Sequence, residues 1–313
     1  MKYELAHCTA RGTRPMNQDR IAIAERDNAV LMVVADGLGG HRGGEIAAEI
    51  LAQTLVHSLQ VVRNKIIERP SAFLALGVMQ AHQAILRRGR ASIVAIQPRT
   101  TCVMCLVQNG YAYWAHVGDS RLYHFRHGRL VQRTKDHSTV EELRHDGLVS
   151  EDEMRSHPQK GKLTKCVGGP NKPTIALGEE TLLAHDDVLL LCSDGLWEAY
   201  TPEEFSRMLT HDSLEEAIEN MVLGAERKMK ESCDNVSAVC LRWLERVPLA
   251  LPLQGNVPVQ IDEQSLIGTA ASNQASIKHH DKPSTPKKPE RNVADEIREL
   301  EQFLRNRDPD RKA

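Results

Sequence analysis

The sequence lacks long apolar segments, and this absence limits where the chain can work. Nowhere in its 313 residues does a run approach the roughly 20 apolar residues that a helix needs to cross a bilayer. The first seven residues also lack the uninterrupted apolar stretch of a secretory signal. We therefore expect no membrane span and a cytoplasmic location.

An excess of charge of either sign is missing too. The formal net charge is −2 and the pI is about 6.7. Partners such as nucleic acid or an anionic membrane surface normally require a basic face, which this balance does not indicate. Nucleic acid is therefore not expected as a partner.

Organised cysteine clusters are absent as well. Seven cysteines are an odd number, and most of them lie in apolar, strand-like runs where a free thiol behaves as a small hydrophobe. Cys102 and Cys105 form a C-x-x-C, but residues three apart in a strand point to opposite faces, and no second pair follows at zinc-site spacing. We predict reduced, buried thiols.

A nucleotide-binding loop is also missing, although glycines are frequent between residues 37 and 44. No Gly-Lys-Ser/Thr ending is present there, and Arg42 interrupts the G-x-G-x-x-G spacing. Both common phosphate-cradling motifs are therefore excluded.

What the sequence does contain is a repeated ending of apolar runs in an acidic residue. Residues 30–35 run directly into Asp36, and residues 188–192 are followed by Ser193 and Asp194. A short apolar run that stops at glycine indicates a buried strand, so the acid beside it lies at the rim of a sheet. Two further acids hold comparable places: Asp119 after the run 112–117, and Asp234 before the run 235–243.

Several carboxylates at one rim favour a bound cation, because neighbouring like charges raise each other's pKa. Oxygen ligands without organised Cys or His favour Mg²⁺ or Mn²⁺ over zinc. Two such ions can activate a water and neutralise a phosphoryl group. Arg14, whose planar fork fits two phosphate oxygens, completes a set suited to a phosphoester.

Along residues 1–246 the predicted helices are grouped apart from the antiparallel strands, which is an α+β pattern. The signals Asn109-Gly110 and His127-Gly128 mark tight turns, so the strands between 101 and 132 are expected to form one antiparallel meander. Apolar periodicity predicts helices at 44–60, 71–88, 202–209 and 213–230, and strands at 30–35, 101–108, 111–117, 121–125, 129–132, 174–183, 188–192 and 235–243.

Two other regions have a different character. Residues 139–158 are polar and carry short helical patches, which suggests a flap over the site. Prolines and polar residues make 247–292 a predicted disordered linker. An apolar stripe over 293–307 predicts a short amphipathic helix, which would either fray or dock on a partner or a second copy of the chain.

Five motifs, in the same order, resemble those of the metal-dependent type 2C (PPM) serine/threonine protein phosphatases, in particular their bacterial branch. The resemblance covers residues 4–243 and implies a four-layer αββα sandwich, with two antiparallel sheets flanked by helices and a small helical flap at about 139–170. The motifs are Arg14 with Asn17-Gln18-Asp19, then 36–41 (DGLGGH), 118–121 (GDSR), Ser193-Asp194-Gly195 and Asp234-Asn235.

The resemblance also implies a role for each site residue. Asp36 resembles the carboxylate that bridges two Mg²⁺ or Mn²⁺ ions, and the Gly37 carbonyl would bind the second. The other implied roles are as follows: Asp194 and Asp234 hold the first ion, Asp119 a third and weaker one, Asp19 orders a metal-bound water, and Arg14 binds the phosphate.

Two positions depart from the family pattern. Gln18 stands where many members have Glu, which would weaken the second ion's site. Leu38 stands where animal members carry a His proposed as general acid; His41 does not inherit that role by proximity, and the acid stays unassigned.

The implied activity is hydrolysis of phosphoserine and phosphothreonine in proteins by a metal-activated water, opposing a Ser/Thr kinase in signal transduction. Two alternatives stay open: a partner-switch phosphatase specific for one phosphoprotein, and a weakly active, phosphatase-like binding module, at which only Gln18 hints.

Overall fold

The computed structural model describes residues 1–38, 43–93, 96–154, 157–210 and 213–246, with the side chains of Glu151 and Asp152 excepted. The predicted linker 247–292 and terminal helix 293–307 lie outside these residues. Within the described ranges, no helix is long and apolar enough to cross a membrane.

Within the described residues, eleven strands form two antiparallel sheets, and seven α-helices accompany them. The five-stranded sheet has the order β1-β11-β10-β6-β7, and the six-stranded sheet has β2-β3-β4-β5-β8, with β9 also paired to β5. The strands are β1 Tyr3–Ala10, β2 Arg20–Arg26, β3 Ala29–Ala35, β4 Cys102–Gln108, β5 Tyr111–Val117, β6 Arg121–Arg126, β7 Arg129–Arg133, β8 Ala176–Leu177, β9 Thr181–Leu182, β10 Val188–Cys192 and β11 Val236–Trp243. The helices are α1 Gly44–Gln60, α2 Pro70–Arg90, α3 Thr139–His145, α4 Glu151–Met154, α5 Asp194–Trp197, α6 Pro202–Met208 and α7 Leu214–Met229.

Strand alternation explains why the two sheets face each other. In β3, Met32 packs with Leu189 and Leu191 of the opposite sheet, whereas Leu31 packs with Leu51 of α1. In the five-stranded sheet, the other face packs against α7. Three apolar layers therefore separate four layers of structure, which confirms the expected αββα sandwich.

The predicted single meander over 101–132 is wrong. Both hairpins exist, and their turn residues Asn109 and His127 have φ values of 52° and 50°. However, β4 and β5 belong to the six-stranded sheet, whereas β6 and β7 belong to the five-stranded one. The chain crosses between the sheets at Gly118, whose φ of 105° and close approach to Thr101 turn it out of the first sheet.

The predicted strand 174–183 is also broken. Of residues 174–183, only 176–177 (β8) and 181–182 (β9) pair with β5, and Gly178 lies between these two strands. A Cβ at Gly178 would stand 2.0 Å from Trp114 Nε1, so the backbone packs directly on the indole. That contact interrupts the ladder because the chain cannot keep strand spacing there.

The helices match their predictions closely, since their ends carry local signals. Thr201 caps α6 by accepting a hydrogen bond from Glu204 N at 3.2 Å while the Glu204 side chain accepts from Thr201 N at 2.8 Å. Strands β1 and β2 were not predicted, because their residues are mostly half-buried and show no clear apolar run.

Candidate active site

Strand register brings the five acidic residues to one end of both sheets. Arg20 pairs with Ala35, so Asp19 and Asp36 meet at the end of the six-stranded sheet. Cys192 pairs with both Arg121 and Ala238, so residues 119, 194 and 234 meet at the corresponding end of the other sheet. Asp194 is the first residue of α5 rather than the last residue of a strand.

The charges of these residues act on one another. Burial, followed by the negative charges of Asp194 and Asp19, raises the pKa of Asp36 well above its usual range. Burial and the charges of Asp119 and Asp234 do the same to Asp194. A group of carboxylates in this state is stabilised by added positive charge, so the donor set fits hard divalent cations.

In the described residues, the acidic side chains do not all point to one common centre. Within the described ranges, no three His, Cys, Asp or Glu side chains form a ready ligand set for one ion. Arg14 Nη2 donates to Asp234 Oδ2 at 2.6 Å, so this guanidinium places positive charge beside the acids.

Asp19 is held with one oxygen occupied and one without a partner. Ser193 Oγ donates to Asp19 Oδ2 at 2.8 Å, while Asp19 Oδ1 is buried and accepts no hydrogen bond within the described structure. Burial raises the pKa of Asp19 to about 6, against the lowering effect of the Ser193 hydroxyl. Since buried acceptors are nearly always satisfied, Oδ1 is a place where water or a ligand fits.

The Asp36-Gly37 backbone is fixed in a narrow space. The Asp36 carbonyl accepts from Thr101 N at 2.8 Å and from Thr100 Oγ1 at 2.9 Å. A Cβ at Gly37 would stand 2.4 Å from Gly44 O, so only glycine lets the start of α1 approach this turn. The requirement for glycine here is therefore steric.

Asn235 organises the loop that carries Arg14. Its Nδ2 donates to the carbonyls of Arg11 and Met16 at 2.8 and 3.0 Å, and its Oδ1 accepts from Gln18 N at 2.8 Å. The sequence placed Asn235 in a motif but gave it no role. Its contacts join residues more than 200 positions apart, which no local pattern reveals.

Asp119 lies on a buried network that links the sheet crossing to α5. Trp197 Nε1 donates to the Asp119 carbonyl at 2.9 Å, and Arg121 stacks over the Trp197 ring with 3.6 Å to its centroid. Arg121 also donates twice to Asp136, at 2.9 and 2.7 Å. Burial and then the charge of Asp136 raise the pKa of Asp119 to about 7.

Gln18 has an acidic neighbour that sequence reasoning missed. Its Nε2 donates to Glu45 Oε2 at 3.2 Å, and Glu45 lies in the first turn of α1. A carboxylate therefore stands beside the amide that replaces the family's acid. The signal was available in the sequence, since acidic residues are common in the first turn of a helix.

The remaining predicted residues lie around this centre. All seven cysteines are free, and Cys102 and Cys105 belong to different apolar layers, as expected for a strand. His116 and His137 stack with their ring centroids 4.9 Å apart. His41 lies outside the described residues.

Comparisons with known proteins agree with this geometry. The family model described as Protein phosphatase 2C matches residues 9–232. The chain is 30% identical over 201 residues to a serine/threonine phosphatase, stp, of Listeria monocytogenes, covering 63% of this chain and 78% of that one. It is 31% identical over 204 residues to protein phosphatase PhpP of Streptococcus pneumoniae, covering 64% and 80%.

Solved structures are similar as well. The serine/threonine phosphatase of S. agalactiae superimposes with a TM-score of 0.70 at 29% identity, covering 78% of this chain and all of that one. The catalytic domain of the phosphatase PstP in complex with two manganese ions superimposes with a TM-score of 0.66 at 26% identity, covering 78% and 99%.

Proposed function

The chain belongs to the protein phosphatase 2C family. We propose that its five clustered acidic residues form the catalytic centre of a binuclear phosphoserine/phosphothreonine hydrolase that opposes a Ser/Thr kinase. The chain is a protein serine/threonine phosphatase that depends on Mg²⁺ or Mn²⁺. The roles of individual residues and the kinase partner are the proposal.

We assign the cation ligands from the donor set. Asp36 would bridge two ions and the Gly37 carbonyl would complete the second site. Asp194 and Asp234 would hold the first ion, and Asp119 a third. When bound, the two ions supply a water of lowered pKa and neutralise the phosphoryl group during in-line displacement.

The protein's own groups bind and orient the reactants. Arg14 is exposed and reaches Asp234 Oδ2 at 2.6 Å, so its guanidinium can take two oxygens of an incoming phosphate at the same rim. Ser193 fixes the Asp19 carboxylate by its hydrogen bond at 2.8 Å, which leaves Asp19 Oδ1 to accept a hydrogen bond from a nearby water and so to orient it. These two residues would therefore position the phosphate and the nucleophile.

One observation carries the proposal. Burial and the charge of Asp194 raise the pKa of Asp36, burial and the charges of Asp119 and Asp234 raise the pKa of Asp194, and Arg14 donates to Asp234 at 2.6 Å. An arrangement that is costly without cations is retained for binding them, since structural sites rarely gather unpaired carboxylates.

The first test is substitution of a proposed ligand. We expect Asp194→Asn to lower kcat/KM on phosphothreonine peptides with Mn²⁺ by at least about 100-fold, because a metal ligand loses its charge. The matched control is Asp186→Asn, since Asp186 is exposed and its left-handed φ of 65° suits Asn. Unchanged activity in Asp194→Asn, or no phosphate release by the wild type, would contradict the proposal.

A second test separates metal binding from catalysis. We expect Asp36→Asn to unfold at a higher temperature than wild type in chelator, because a buried carboxylate with a raised pKa opposes folding at pH 7. The same variant should lose activity and gain less from added Mn²⁺. Thermal unfolding during a metal titration measures both effects, and equal Mn²⁺ stabilisation of the two proteins would count against the ligand role.

A further inference from the structure

The segment that follows α4 has an unusual charge pattern. Residues 157–178 contain four lysines and no acidic residue. Lys160 and Lys162 are exposed and Lys165 is half-buried. These three side chains, here called the flap lysines, form a basic segment in a chain whose overall charge is −2.

Backbone pairing fixes this segment beside the site. Val167 exchanges two backbone hydrogen bonds with Thr100, at 2.8 and 3.0 Å. The Thr100 hydroxyl in turn donates to the Asp36 carbonyl at 2.9 Å. Thr139 N also donates to the Lys162 carbonyl at 3.0 Å. This bond closes the segment into a loop beside the acidic residues of the site.

Lys160 makes direct contact with that rim. Its Nζ lies 3.0 Å from Glu198 Oε2. Glu198 is the first residue after α5 and follows Asp194 by one turn, with Glu198 N donating to Asp194 O at 2.9 Å, so the two carboxylates lie on the same side of this turn. The ammonium group therefore stands within one turn of a proposed metal ligand.

We propose that the flap lysines recognise phosphoprotein segments with Asp or Glu close to the phosphorylated residue, and that Lys160 exchanges Glu198 for a substrate carboxylate. This inference rests on the proposed function. With the phosphate at Arg14 and the acidic residues, neighbouring peptide residues, spaced by about 3.3 Å each, can reach the rim where Lys160 contacts Glu198 and from which Lys162 is two residues away. The Lys160–Glu198 pair is partly exposed, so breaking it costs little and its exchange is favourable when a better-placed carboxylate arrives.

The test uses three phosphothreonine peptides of equal length whose flanking positions are acidic, neutral or basic. We expect wild-type kcat/KM to be at least about fivefold higher for the acidic than for the neutral peptide at low salt, and the preference to shrink as salt rises. Lys160→Gln with Lys162→Gln should reduce the preference below about twofold. Hydrolysis of p-nitrophenyl phosphate, which has no flanking residues, should stay unchanged.

Two controls separate position from net charge. Lys172→Gln removes a lysine from the same acid-free stretch, but Lys172 lies near His82 of α2, so the preference should persist. Lys160→Arg keeps the positive charge, so the preference for the acidic peptide should persist in this variant as well. Equal kcat/KM for the three peptides in wild type, or an intact preference in the double variant, would overturn the inference alone. If wild type hydrolysed neither the three peptides nor p-nitrophenyl phosphate, the proposed function would be overturned together with this inference.

Discussion

At the residue scale, the contact between Gln18 and Glu45 shows how a neutral side chain is tolerated at an acidic centre. The amide donates to the Glu45 carboxylate at 3.2 Å, and the Gln18 backbone carbonyl accepts from Gly37 N at 3.2 Å. Gln18 therefore joins α1 to the turn that carries Asp36. A carboxylate at this position would face Glu45 without a donor between them.

This geometry makes Gln18→Glu a test of local charge. We expect the variant to be less stable than wild type in chelator by about 1 kcal/mol, because a hydrogen bond becomes a like-charge contact. We also expect Mn²⁺ to stabilise the variant more than it stabilises wild type. Thermal unfolding with and without Mn²⁺ measures both. Glu49→Gln is the control, since Glu49 lies on the same helix and pairs with Arg20 at 2.7 Å. Equal stability of Gln18→Glu and wild type in chelator would refute this explanation.

The sequence identified acidic positions more readily than their partners. Asp36 and Asp194 were predictable because each follows a continuous apolar run, and such a run can be recognised without knowledge of the rest of the chain. The contacts of Ser193 with Asp19 and of Gln18 with Glu45 were not predictable, because they depend on which loops meet in space. The assigned roles of the site residues stay predictions.

At the element scale, the turn between β3 and α1 depends on one glycine. We expect Gly37→Ala to cost about 2 kcal/mol or more of unfolding free energy, because its Cβ would meet two backbone oxygens at 2.4 and 2.7 Å. Chemical denaturation measures the loss. Gly169→Ala is the control, since its nearest neighbour is the Cys166 sulfur at 3.1 Å, which can move. Similar losses in both variants would contradict the steric explanation.

The base of the flap should make stability depend on pH through His137. Burial, then the nearby His116 and Lys165, lower the pKa of His137 to about 3, and its Nδ1 accepts a hydrogen bond from Gly118 N at 3.2 Å. Below pH 6.5 the unfolded chain binds a proton that the folded chain does not, so this contribution is complete above pH 6.5 and declines as pH falls towards 3. The loss between pH 6.5 and 5 is at most about 2 kcal/mol.

Denaturation at several pH values tests this dependence. We expect His137→Gln to flatten the decline in unfolding free energy between pH 6.5 and 5. His127→Asn, at an exposed hairpin turn with a φ of 50°, should leave it as in wild type. An unchanged slope in His137→Gln would show that other groups carry the acid sensitivity.

Elements with local signals were predicted best. Helices α6 and α7 begin at capping residues, and the hairpin turns carry Asn-Gly and His-Gly. The crossing at Gly118 was missed because a short connection between neighbouring strands usually keeps them in one sheet. Here three residues suffice to change sheets, since the two sheets face each other and meet at this end.

At the scale of the whole molecule, the described sandwich ends at Arg246, after the last strand. The domain boundary at residue 246 stays a prediction. We expect a chain truncated after Arg246 to keep its melting temperature and its turnover of p-nitrophenyl phosphate, while its activity on the native phosphoprotein is weakened. Failure of the truncated chain to fold would mean that residues 247–313 belong to the core.

The proposed ligands come from both sheets. Asp36 directly follows a strand of one sheet, Asp194 and Asp234 lie next to strands of the other, and Asp119 lies on the crossing between them. Cations held by these residues would link the two sheets, so their binding energy would add to the stability of the folded sandwich. The concentration of free Mg²⁺ or Mn²⁺ would then set the lifetime of the folded enzyme as well as its rate of turnover.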